Sequence, residues 1–401
     1  MTTQALPIDA EWSKILPFPA PLIAAPEVSI VMPCLNEEES IGRCVRKSLE
    51  VLRRHGIDGE VVVADNGSTD RSVEIAEGLG ARVVHQPLRG YGNAYQKGFA
   101  EARGRYLIMV DSDDTYDFDD IPNFVALLRS GKQFVNGNRF QGSMARGAMT
   151  WSHRYVGNPL LSGLLNLFFH TTLGDAHCGM RAFTRDAYEQ MRLQTPGMEF
   201  ASEMVIHAAK AHLDIAELPT NYYPRAGESK LHTLRDGWRH LRFLLVYSPT
   251  HLFMLPGLFF FCLGLLGMAL LLPGPFVAFG RGWDVHVMIL SALVTLLGYQ
   301  VLSLGIYAKT FSLTAQFDED DPVLDGLMRT FTLERGLALG TGFLLIGIAC
   351  LVSVYLQWAG NNFGTLNAIR PSLLGMTLMA VGGQTVFSSF LLSLFNFRKL
   401  A

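Results

Sequence analysis

The chain has 401 residues with a formal net charge of −3 and 49% hydrophobic residues, and its mean hydropathy is +0.23. These values exclude an ordinary soluble enzyme of this size, because such proteins carry fewer apolar residues. Part of the chain is therefore expected to lie in lipid, and we expect no nucleic-acid partner. The composition leaves a homo-oligomer open.

Prolines mark the N-terminal segment, residues 1–27, at Pro7, Pro17, Pro19, Pro21 and Pro26. This segment lacks a basic start followed by an apolar stretch, which a signal peptide requires. We therefore expect a flexible tail and no signal peptide there.

Residues 28–230 alternate between strand and helix patterns. VSIVMP predicts a strand that ends at Pro33, and EVVVADNGS predicts a second one. Helices are predicted for EESIGRCVRKSLEVLRRHG and for TDRSVEIAEGLG, which ends at Gly80. Such alternation is typical of an α/β domain whose Rossmann-like, mostly parallel sheet is covered on both faces.

Polar residues follow each of the first strands. The first strand ends in PCLNEEE, the second in DNGSTD, and the strand RYLIMV in DSDD. Ligands of parallel sheets bind beyond the carboxyl ends of the strands, so these residues are expected at one acidic edge. Single acidic residues there also serve as helix caps or turn residues, which is how we interpret Asp70 and Asp120.

Asp111 and Asp113 in VDSDDTYD are harder to explain as turn residues. Alternate residues of an extended backbone point the same way, so these two carboxylates can share a cation while Ser112 points elsewhere. Hard oxygen ligands favour Mg²⁺ or Mn²⁺, ions that also bind substrate phosphates. The sequence therefore predicts a divalent cation that carries a diphosphate.

Several motifs together resemble those of the family 2 glycosyltransferases. They are PCLNEEES, ADNGSTD, LRGYGNAYQKGFAEARGRYLIMVDSDD and RAGESKL, in that order within residues 28–250. The likeness is greatest to the polyprenyl-phosphate glycosyltransferases, the branch that includes dolichyl-phosphate mannose synthases. It implies a GT-A fold, a nucleotide-sugar donor and a lipid-phosphate acceptor.

The resemblance also implies roles for individual residues. Asp111 and Asp113 match the metal-binding DxD motif, and Asp65 matches the residue that holds the base or ribose. The donor nucleotide is expected to contact Pro33, Glu37, Asp65, Asn66, Gly90 and Asp111.

This chain departs from the family pattern at two positions. Many members read Asp-Asp-Gly-Ser where this chain has Asn66 as the second residue, which removes a charge beside the nucleoside. Mannose synthases usually carry Gln two positions after the second DxD carboxylate, where this chain has Thr115. The identity of the donor nucleotide and the full set of metal ligands are therefore left open.

The glycine-rich segment LRGYGNAYQKG, residues 88–98, has two interpretations. Gly90 and Gly92 allow the backbone to approach a phosphate closely before a helix N-terminus. The segment can equally be a plain loop-to-helix turn. The neighbouring motifs favour the phosphate interpretation.

Basic residues and one serine in the second half of this domain are candidates to hold an acceptor phosphate: Arg139, Arg154, Arg181, Arg225, Ser229 and Lys230. Arginine offers a fork of donors and lysine a point charge. RAGESK is favoured because the resemblance includes it. For Glu199 and Glu203, at helical i, i+4 spacing, we favour a structural role.

Residues 231–250 predict an amphipathic helix. Leucines and a tryptophan recur at helical spacing with arginines between them: Leu231, Leu234, Trp238, Leu241 and Leu245, with Arg235, Arg239 and Arg242. This pattern favours a helix on an anionic membrane surface. A helix packed on the catalytic domain is the alternative.

Residues 251–401 predict a membrane domain. Four uncharged stretches are long enough to span a bilayer as helices: 252–272, 287–308, 337–358 and 372–395. Basic residues lie before the first, between the second and third, and after the fourth: Arg235, Arg239, Arg242, Lys309, Arg329, Arg335, Arg398 and Lys399. This predicts a plasma-membrane protein whose catalytic domain and C-terminus are cytosolic.

The predicted activity is inverting transfer of one sugar from a UDP-glucose-type or GDP-mannose-type donor to polyprenyl phosphate. A lipid phosphate is already ionised, so we favour a mechanism without a general base, with Asp114 as the alternative base. Asp113, Arg139, Arg225 and Lys230 are the expected catalytic residues.

Two other functions remain open. A processive polysaccharide synthase on the same fold would normally carry a QxxRW motif, which this sequence lacks. A non-catalytic membrane scaffold would have no use for an intact DxD motif.

Overall fold

The structure is a computed structural model that describes residues 25–226, 233–278, 280–314, 326 and 332–397. Residues singled out above that lie outside this part are Ser229, Lys230, Leu231, Arg329, Arg398, Lys399 and residues 1–24 of the tail.

The described chain divides into two compact units. The α/β unit contains residues 25–148, 178–189 and 216–226. The helical unit contains residues 149–177, 190–215 and the described residues from 233 onward. The domain boundaries near residues 27, 230 and 250 stay predictions.

A seven-stranded sheet forms the centre of the α/β architecture, in the order β3-β2-β1-β4-β6-β5-β7. Strands β1 to β4 run parallel, whereas β6 runs antiparallel to both β4 and β5. The strands are β1 Val28–Cys34, β2 Gly59–Asp65, β3 Arg82–His85, β4 Tyr106–Met109, β5 Phe134–Asn138, β6 Arg181–Thr184 and β7 Ile215–Pro219. The predicted mostly parallel sheet is confirmed, but the reversed β6 in its middle was not foreseen.

Helices connect the parallel strands. They are α1 Ile41–Arg54, α2 Ser72–Gly78, α3 Tyr91–Glu101 and α4 Ile121–Arg129, and α6 Arg185–Met191 follows β6. In α1 the buried residues Ile41, Cys44, Val45, Val51 and Leu52 recur at helical spacing. Strands β1 and β4 are buried along nearly their whole length, as expected for parallel strands covered on both faces.

Asp120 precedes α4, and its environment disfavours the ionised carboxylate. Its Oδ2 is buried, and no donor among the described residues bonds it. Burial and the nearby charge of Asp117 raise the pKa of Asp120 to about 6. The ionised form is therefore less favourable in the folded chain than in the unfolded chain.

Asp120→Asn is expected to stabilise the protein at pH 8. Because the folded pKa lies above the unfolded value of about 4, Asp120 costs stability progressively as pH rises from about 4 to about 6, and the full cost remains above that. We expect a gain of about 1 kcal/mol at pH 8 after allowing for solvent screening, and none at pH 4. Thermal unfolding at both pH values measures it. Asp119→Asn, at an exposed neighbour, is the control; an equal gain there would contradict the explanation.

The helical unit begins with three helices that precede the membrane spans. They are α5 Asn158–Phe169, which follows a π-helical turn at His153–Gly157, α7 Phe200–Lys210 and α8 Thr233–Val246. Helices α5, α7 and α8 pack against one another. A helix is present at Thr233–Val246, within the predicted range 231–250. Arg239 lies 3.8 Å from Glu199, the residue before α7, and His240 hydrogen-bonds with Ser202 of α7. Its position on a membrane surface stays a prediction.

Four helices of the helical unit are long and apolar enough to cross a membrane: Thr250–Leu271, Val285–Ser312, Leu333–Gly360 and Ile369–Phe395. They correspond to α9 Leu255–Leu271 with the preceding π-helical turn Thr250–Met254, α10 Val285–Thr314, α11 Leu333–Gly360 and α12 Ile369–Phe397. A hairpin of β8 Phe276–Ala278 and β9 Arg281–Trp283 joins the first two. The prediction of four transmembrane helices is confirmed by length and composition.

Polar side chains join α10 to α12 within the spans. The hydroxyl of Tyr299 hydrogen-bonds with Thr385 at 2.7 Å, and the hydroxyl of Tyr307 donates to Ser388. Hydrogen bonds between helices replace the missing hydrophobic driving force in lipid. They fix the rotation of these two helices about their axes.

Candidate active site

The carboxyl ends of the parallel strands bring three polar segments to one edge of the sheet. Cys34 at the end of β1 is in register with Asp65 at the end of β2. The backbone N–H of Val110, just after β4, donates to the carbonyl of Val31. The segments after β1, β2 and β4 consequently leave the sheet side by side.

Asp111 is held by two tyrosines of α3. Its Oδ1 accepts hydrogen bonds from the hydroxyls of Tyr91 at 2.9 Å and Tyr95 at 3.2 Å. Burial and the neighbouring charge of Asp113 raise the pKa of Asp111 to about 6. A cation shared by the two carboxylates would relieve this repulsion. Sequence reasoning missed both tyrosines, although their i, i+4 spacing within the glycine-rich segment 88–98 was a visible signal.

Asp113 uses its two oxygens differently. Oδ1 accepts a hydrogen bond from the hydroxyl of Thr115 at 2.6 Å. Oδ2 lies 3.3 Å from the guanidinium of Arg225. Thr115, noted in the sequence only as a departure, therefore orients the second DxD carboxylate.

Arg225, in the segment RAGESK, contacts residues that follow β1 and β4. Its guanidinium also forms an ion pair with Glu37, at 2.6 Å, so it bridges Glu37 and Asp113. The backbone is fixed beside the DxD loop, because Tyr223 N–H donates to the carbonyl of Thr115 and Ala226 N–H to that of Asp113. Glu37, Asp113 and Arg225 therefore form one cluster in the α/β unit.

Pro33 and Ser112 link the first strand to the DxD loop. The hydroxyl of Ser112 donates to the carbonyl of Pro33 at 2.6 Å. Ser112 thus points away from the oxygens of Asp113 that Thr115 and Arg225 contact. Pro33 contributes a backbone carbonyl to the floor of this edge.

Asp65 closes the turn that follows β2. Its carboxylate accepts hydrogen bonds from the backbone N–H groups of Gly67 and Ser68 and lies 3.1 Å from Nδ1 of His85. Burial opposes ionisation, but the hydrogen bonds from Ser68 and His85 outweigh it and lower the pKa of Asp65. Asp65 is therefore held ionised at this edge.

Asn66 holds the glycine-rich loop. Its amide nitrogen donates to the carbonyls of Gln86 and Leu88, and its Oδ1 accepts from the backbone N–H of Gly90 at 2.7 Å. An aspartate could not donate to those two carbonyls. Gly90 has a φ of 144°, in the region that favours glycine. The departure from the family pattern at Asn66 thus has a structural reason. The N–H of Gly90 already donates to the Asn66 side chain.

Arg139 and Arg181 are both buried. Arg139 follows β5, and its guanidinium lies 5.1 Å from the ring centre of Tyr222. Arg181 begins β6, is fully buried, and donates from Nε to the carbonyl of Cys178 at 2.9 Å. Arg181 is paired with Met109 at the carboxyl end of β4, and its role as an acceptor contact stays a prediction.

Three other acceptor candidates are not among the described residues of the α/β unit. Arg154 lies in the helical unit on the π-helical turn, with its guanidinium 5.4 Å from the ring centre of Tyr155. Ser229 and Lys230 lie outside the described residues. Their roles stay predictions.

Asp114, the alternative base, is occupied by ion pairs. Its oxygens contact Arg43 at 2.9 Å and Lys47 at 2.6 Å, both on α1. Both oxygens of this carboxylate therefore already accept hydrogen bonds from cationic side chains of α1. This arrangement favours the mechanism without a general base.

Glu203 has the structural role that we favour from the sequence. It is fully buried and accepts hydrogen bonds from the backbone N–H groups of Gln194 and Thr195 and from the Thr195 hydroxyl. Glu199, one turn earlier, lies 3.8 Å from Arg239 of α8. Both carboxylates hold together elements of the helical unit.

Comparison with known proteins identifies the family. The profile described as "Glycosyl transferase family 2" matches residues 29–192, and "Glycosyltransferase family 2 C-terminal transmembrane region" matches residues 306–396. The low-salt glycan biosynthesis hexosyltransferase Agl6 of Haloferax volcanii is 40% identical over 369 residues, which cover 92% of this chain and 89% of that protein. The chain belongs to glycosyltransferase family 2.

Other relatives share the family 2 domain. A dolichyl-phosphate hexose transferase of Haloferax volcanii is 32% identical over 212 residues, which cover 53% of this chain and 89% of that protein. The structure of glucosyl-3-phosphoglycerate synthase from Mycobacterium tuberculosis in complex with Mn²⁺ and UDP-glucose matches with a TM-score of 0.44 and 26% identity, covering 56% of this chain and 79% of that one. The GT-A-like fold is assigned from the sheet topology and the family match.

The oxygen donors at this edge of the family 2 domain fit a hard divalent cation. Asp111 and Asp113 supply carboxylate oxygens, and one of them already faces the positive charge of Arg225. Within the part of the chain that the structure describes, no three His, Cys, Asp or Glu side chains form a group that could hold a metal. A cation here would need diphosphate and water oxygens to complete its coordination.

Gly179 lies against the DxD carboxylate of this family 2 domain. Its backbone N–H donates to the hydroxyl of Tyr116 at 2.6 Å. A Cβ atom at this position would overlap Oδ2 of Asp111 and crowd the Tyr116 hydroxyl. Sequence reasoning selected Arg181 from the motif CGMRAF and missed the glycine two residues before it.

Gly179→Ala is expected to lower sugar transfer about tenfold to a hundredfold, because the added methyl displaces Asp111. Transfer assays on the purified chain measure this effect, and thermal unfolding checks that the variant folds. Gly78→Ala is the matched control, since a Cβ there meets no atom within 4 Å. Unchanged transfer by the folded Gly179→Ala variant would contradict a required position for Asp111.

Proposed function

We propose that this family 2 glycosyltransferase transfers a single sugar from a nucleotide sugar, of the UDP-glucose or GDP-mannose type, to polyprenyl phosphate. The product would be a polyprenyl-phosphate-linked sugar with inverted anomeric configuration. A divalent cation, Mg²⁺ or Mn²⁺, would assist.

The contact of Arg225 with Asp113 carries this proposal. Arg225, in the segment RAGESK, lies 3.3 Å from the carboxylate of Asp113 in the DxD motif. A transferase must bring donor and acceptor together in line, and here their motifs meet through side chains. Four helices long and apolar enough to cross a membrane in the same chain support a lipid acceptor.

Donor binding would use the edge of the sheet. Asp65 and the loop held by Asn66 would contact the nucleoside, and Asp111 and Asp113 would hold the cation beside the diphosphate. The cation supplies positive charge to the leaving nucleoside diphosphate. Tyr91 and Tyr95 fix Asp111, and Thr115 fixes Asp113, so these carboxylates need not reorganise during the reaction.

Acceptor binding would use the basic side chains. Arg225 and Arg139, together with Lys230, would orient the lipid phosphate against anion repulsion, and Arg154 and Ser229 are further candidates. An ionised phosphate oxygen attacks the anomeric carbon directly, so no proton has to be removed. The C–O bond to the nucleoside diphosphate breaks as the new C–O bond forms, which inverts an α-linked donor to a β-linked product.

The proposed location is the plasma membrane, with the catalytic domain and the C-terminus cytosolic. The basic residues that flank the spans support this orientation by the positive-inside rule. The lipid phosphate of a cytosolic-leaflet polyprenol would then lie on the same side as the nucleotide sugar.

The experiment that tests the function uses the purified full chain with polyprenyl phosphate, Mn²⁺ and a panel of radiolabelled nucleotide sugars. Metal-dependent label in an organic-extractable lipid, absent for Asp113→Ala, supports the proposal and names the donor. Mass spectrometry of the product separates one hexose per lipid from a polymer, which would identify a processive synthase instead. No label from any donor, despite bound nucleotide, would contradict polyprenyl phosphate as the acceptor.

A further inference from the structure

An exposed apolar face runs along the helical segment 151–169 before the first span. Five large side chains on it are at least half exposed: Trp151 (71%), Tyr155 (59%), Val156 (50%), Leu160 (57%) and Leu167 (60%). Ser162 and Leu165, by contrast, are buried, and the Ser162 hydroxyl accepts from the backbone N–H of Ala176. The segment therefore has large apolar side chains on its exposed side as well as Leu165 on its buried side.

The π-helical turn His153–Gly157 aligns this face. A π turn contains about one residue more than an α turn, so it rotates the residues before it by roughly a quarter turn relative to those after it. In an uninterrupted α-helix, Trp151 would point toward the side of buried Ser162. With the π turn, Trp151 and Tyr155 come closer to the side of Leu160 and Leu167.

The same segment contacts the start of the first membrane span. Phe168 at its end stacks on His251, with ring centres 4.4 Å apart, and His251 lies at the start of the span Thr250–Leu271. The adjacent Phe169 lies 5.8 Å from the Nζ of Lys210. The C-terminal end of the apolar face therefore lies beside the start of the first candidate span.

The chemistry of the face fits the membrane surface. Tryptophan and tyrosine are enriched where acyl chains meet headgroups. Arg154, between Trp151 and Tyr155, stacks its guanidinium on the Tyr155 ring and adds a positive charge at the edge of the face. An apolar face bordered by a cation is typical of helices that lie in the bilayer interface.

We propose that the apolar face of residues 151–167 inserts into the headgroup region of the bilayer that the four spans cross. The partner is the lipid surface itself. This contact holds the helical unit at a fixed depth at a second place besides the spans, and it places Arg154 among lipid phosphates. It is separate from α8, the segment that the sequence selected for this role.

Tryptophan quenching tests this proposal on the full-length chain. The other tryptophans, Trp12, Trp238, Trp283 and Trp358, are replaced by phenylalanine. The protein is reconstituted in phosphatidylcholine vesicles that contain lipids brominated on the upper acyl chain. We expect Trp151 to lose about half of its fluorescence, as a side chain 5–10 Å deep should.

The matched control moves the single tryptophan to an exposed position of the α/β unit, as His55→Trp in a Trp151→Phe background. This variant is expected to respond to aqueous iodide and not to brominated lipid. Quenching of Trp151 by iodide alone, to the same degree as the control, would overturn the proposal. The proposal would also be overturned if protection of Trp151 from iodide increased with protein concentration while brominated lipid had no effect. That result would assign the face to contact with a second copy of the chain.

Discussion

Asp113→Asn is expected to lower sugar transfer by about two to three orders of magnitude. The substitution removes the charge at Oδ2, the atom that faces Arg225 at 3.3 Å. It keeps an oxygen that can accept from the Thr115 hydroxyl, which bonds Oδ1 at 2.6 Å. The loop geometry should therefore persist while the attraction for a divalent cation falls. Initial rates of lipid-linked sugar formation measure the loss.

Asp114→Asn is the matched control for this prediction. The same substitution one residue later removes a carboxylate that pairs with Arg43 and Lys47. Loss of these partly exposed pairs should cost about 1 kcal/mol or less of stability, and transfer should fall only a few-fold. If both variants lose transfer equally, Asp114 acts as a base or the loop collapses, and thermal unfolding distinguishes the two. Full activity of Asp113→Asn would exclude the DxD motif from catalysis.

Local properties of the sequence predicted much of the fold. The four spans follow from runs of apolar residues, and each observed helix contains nearly all of its predicted stretch. The acidic edge follows from the polar residues after β1, β2 and β4, because parallel strands must end on the same side. These features depend on residues close together in the chain.

Contacts over long separations were not predictable. Strand β6 enters the sheet between β4 and β5 in reversed direction, and Arg181 at its start is fully buried. The closeness of Gly179 to Asp111 depends on that pairing. Tyr91 and Tyr95 bond Asp111 from a helix 16 to 20 residues away in the chain. Periodicity identifies a helix face but not the side chain that it meets.

Residue chemistry was also informative once geometry was known. Asn66 was read from the sequence as a lost charge beside the nucleoside. In the structure it is a donor to two carbonyls and an acceptor for Gly90 N–H, a combination that only an amide provides. The departure from the family pattern therefore concerns the glycine-rich loop and need not change the nucleotide.

Arg225→Ala is expected to act in opposite directions on two measurements. Transfer should fall by about two orders of magnitude, because the proposed acceptor phosphate loses a bidentate partner. Binding of Mn²⁺ in the presence of UDP should instead become about fivefold tighter, the equivalent of roughly 1 kcal/mol for a partly exposed ion pair. The reason is that Arg225 and a cation compete for Oδ2 of Asp113, which the guanidinium approaches to 3.3 Å.

Isothermal titration calorimetry and electron paramagnetic resonance of Mn²⁺ measure the second effect without relying on activity. Arg43→Ala is the matched control, because it also removes one positive charge beside the DxD loop but from Asp114 instead of Asp113. Its Mn²⁺ affinity should stay within about twofold of wild type, since Arg43 is half exposed and pairs with Asp114 and not with Asp113. Mn²⁺ binding by the wild-type protein should be abolished in Asp113→Asn. This result would show that both comparisons concern the site at Asp113.

Tighter binding in Arg225→Ala alone would mean that the acceptor motif and the donor cation share one carboxylate. Arrival of a cation at Asp113 would then release Arg225, still anchored to Glu37 at 2.6 Å, toward the incoming lipid phosphate. Binding of the donor with its cation would thereby make Arg225 available to the acceptor phosphate. The donor would then be expected to bind before the acceptor. Equal or weaker Mn²⁺ binding in Arg225→Ala would contradict this competition and leave Arg225 a role on the acceptor side only.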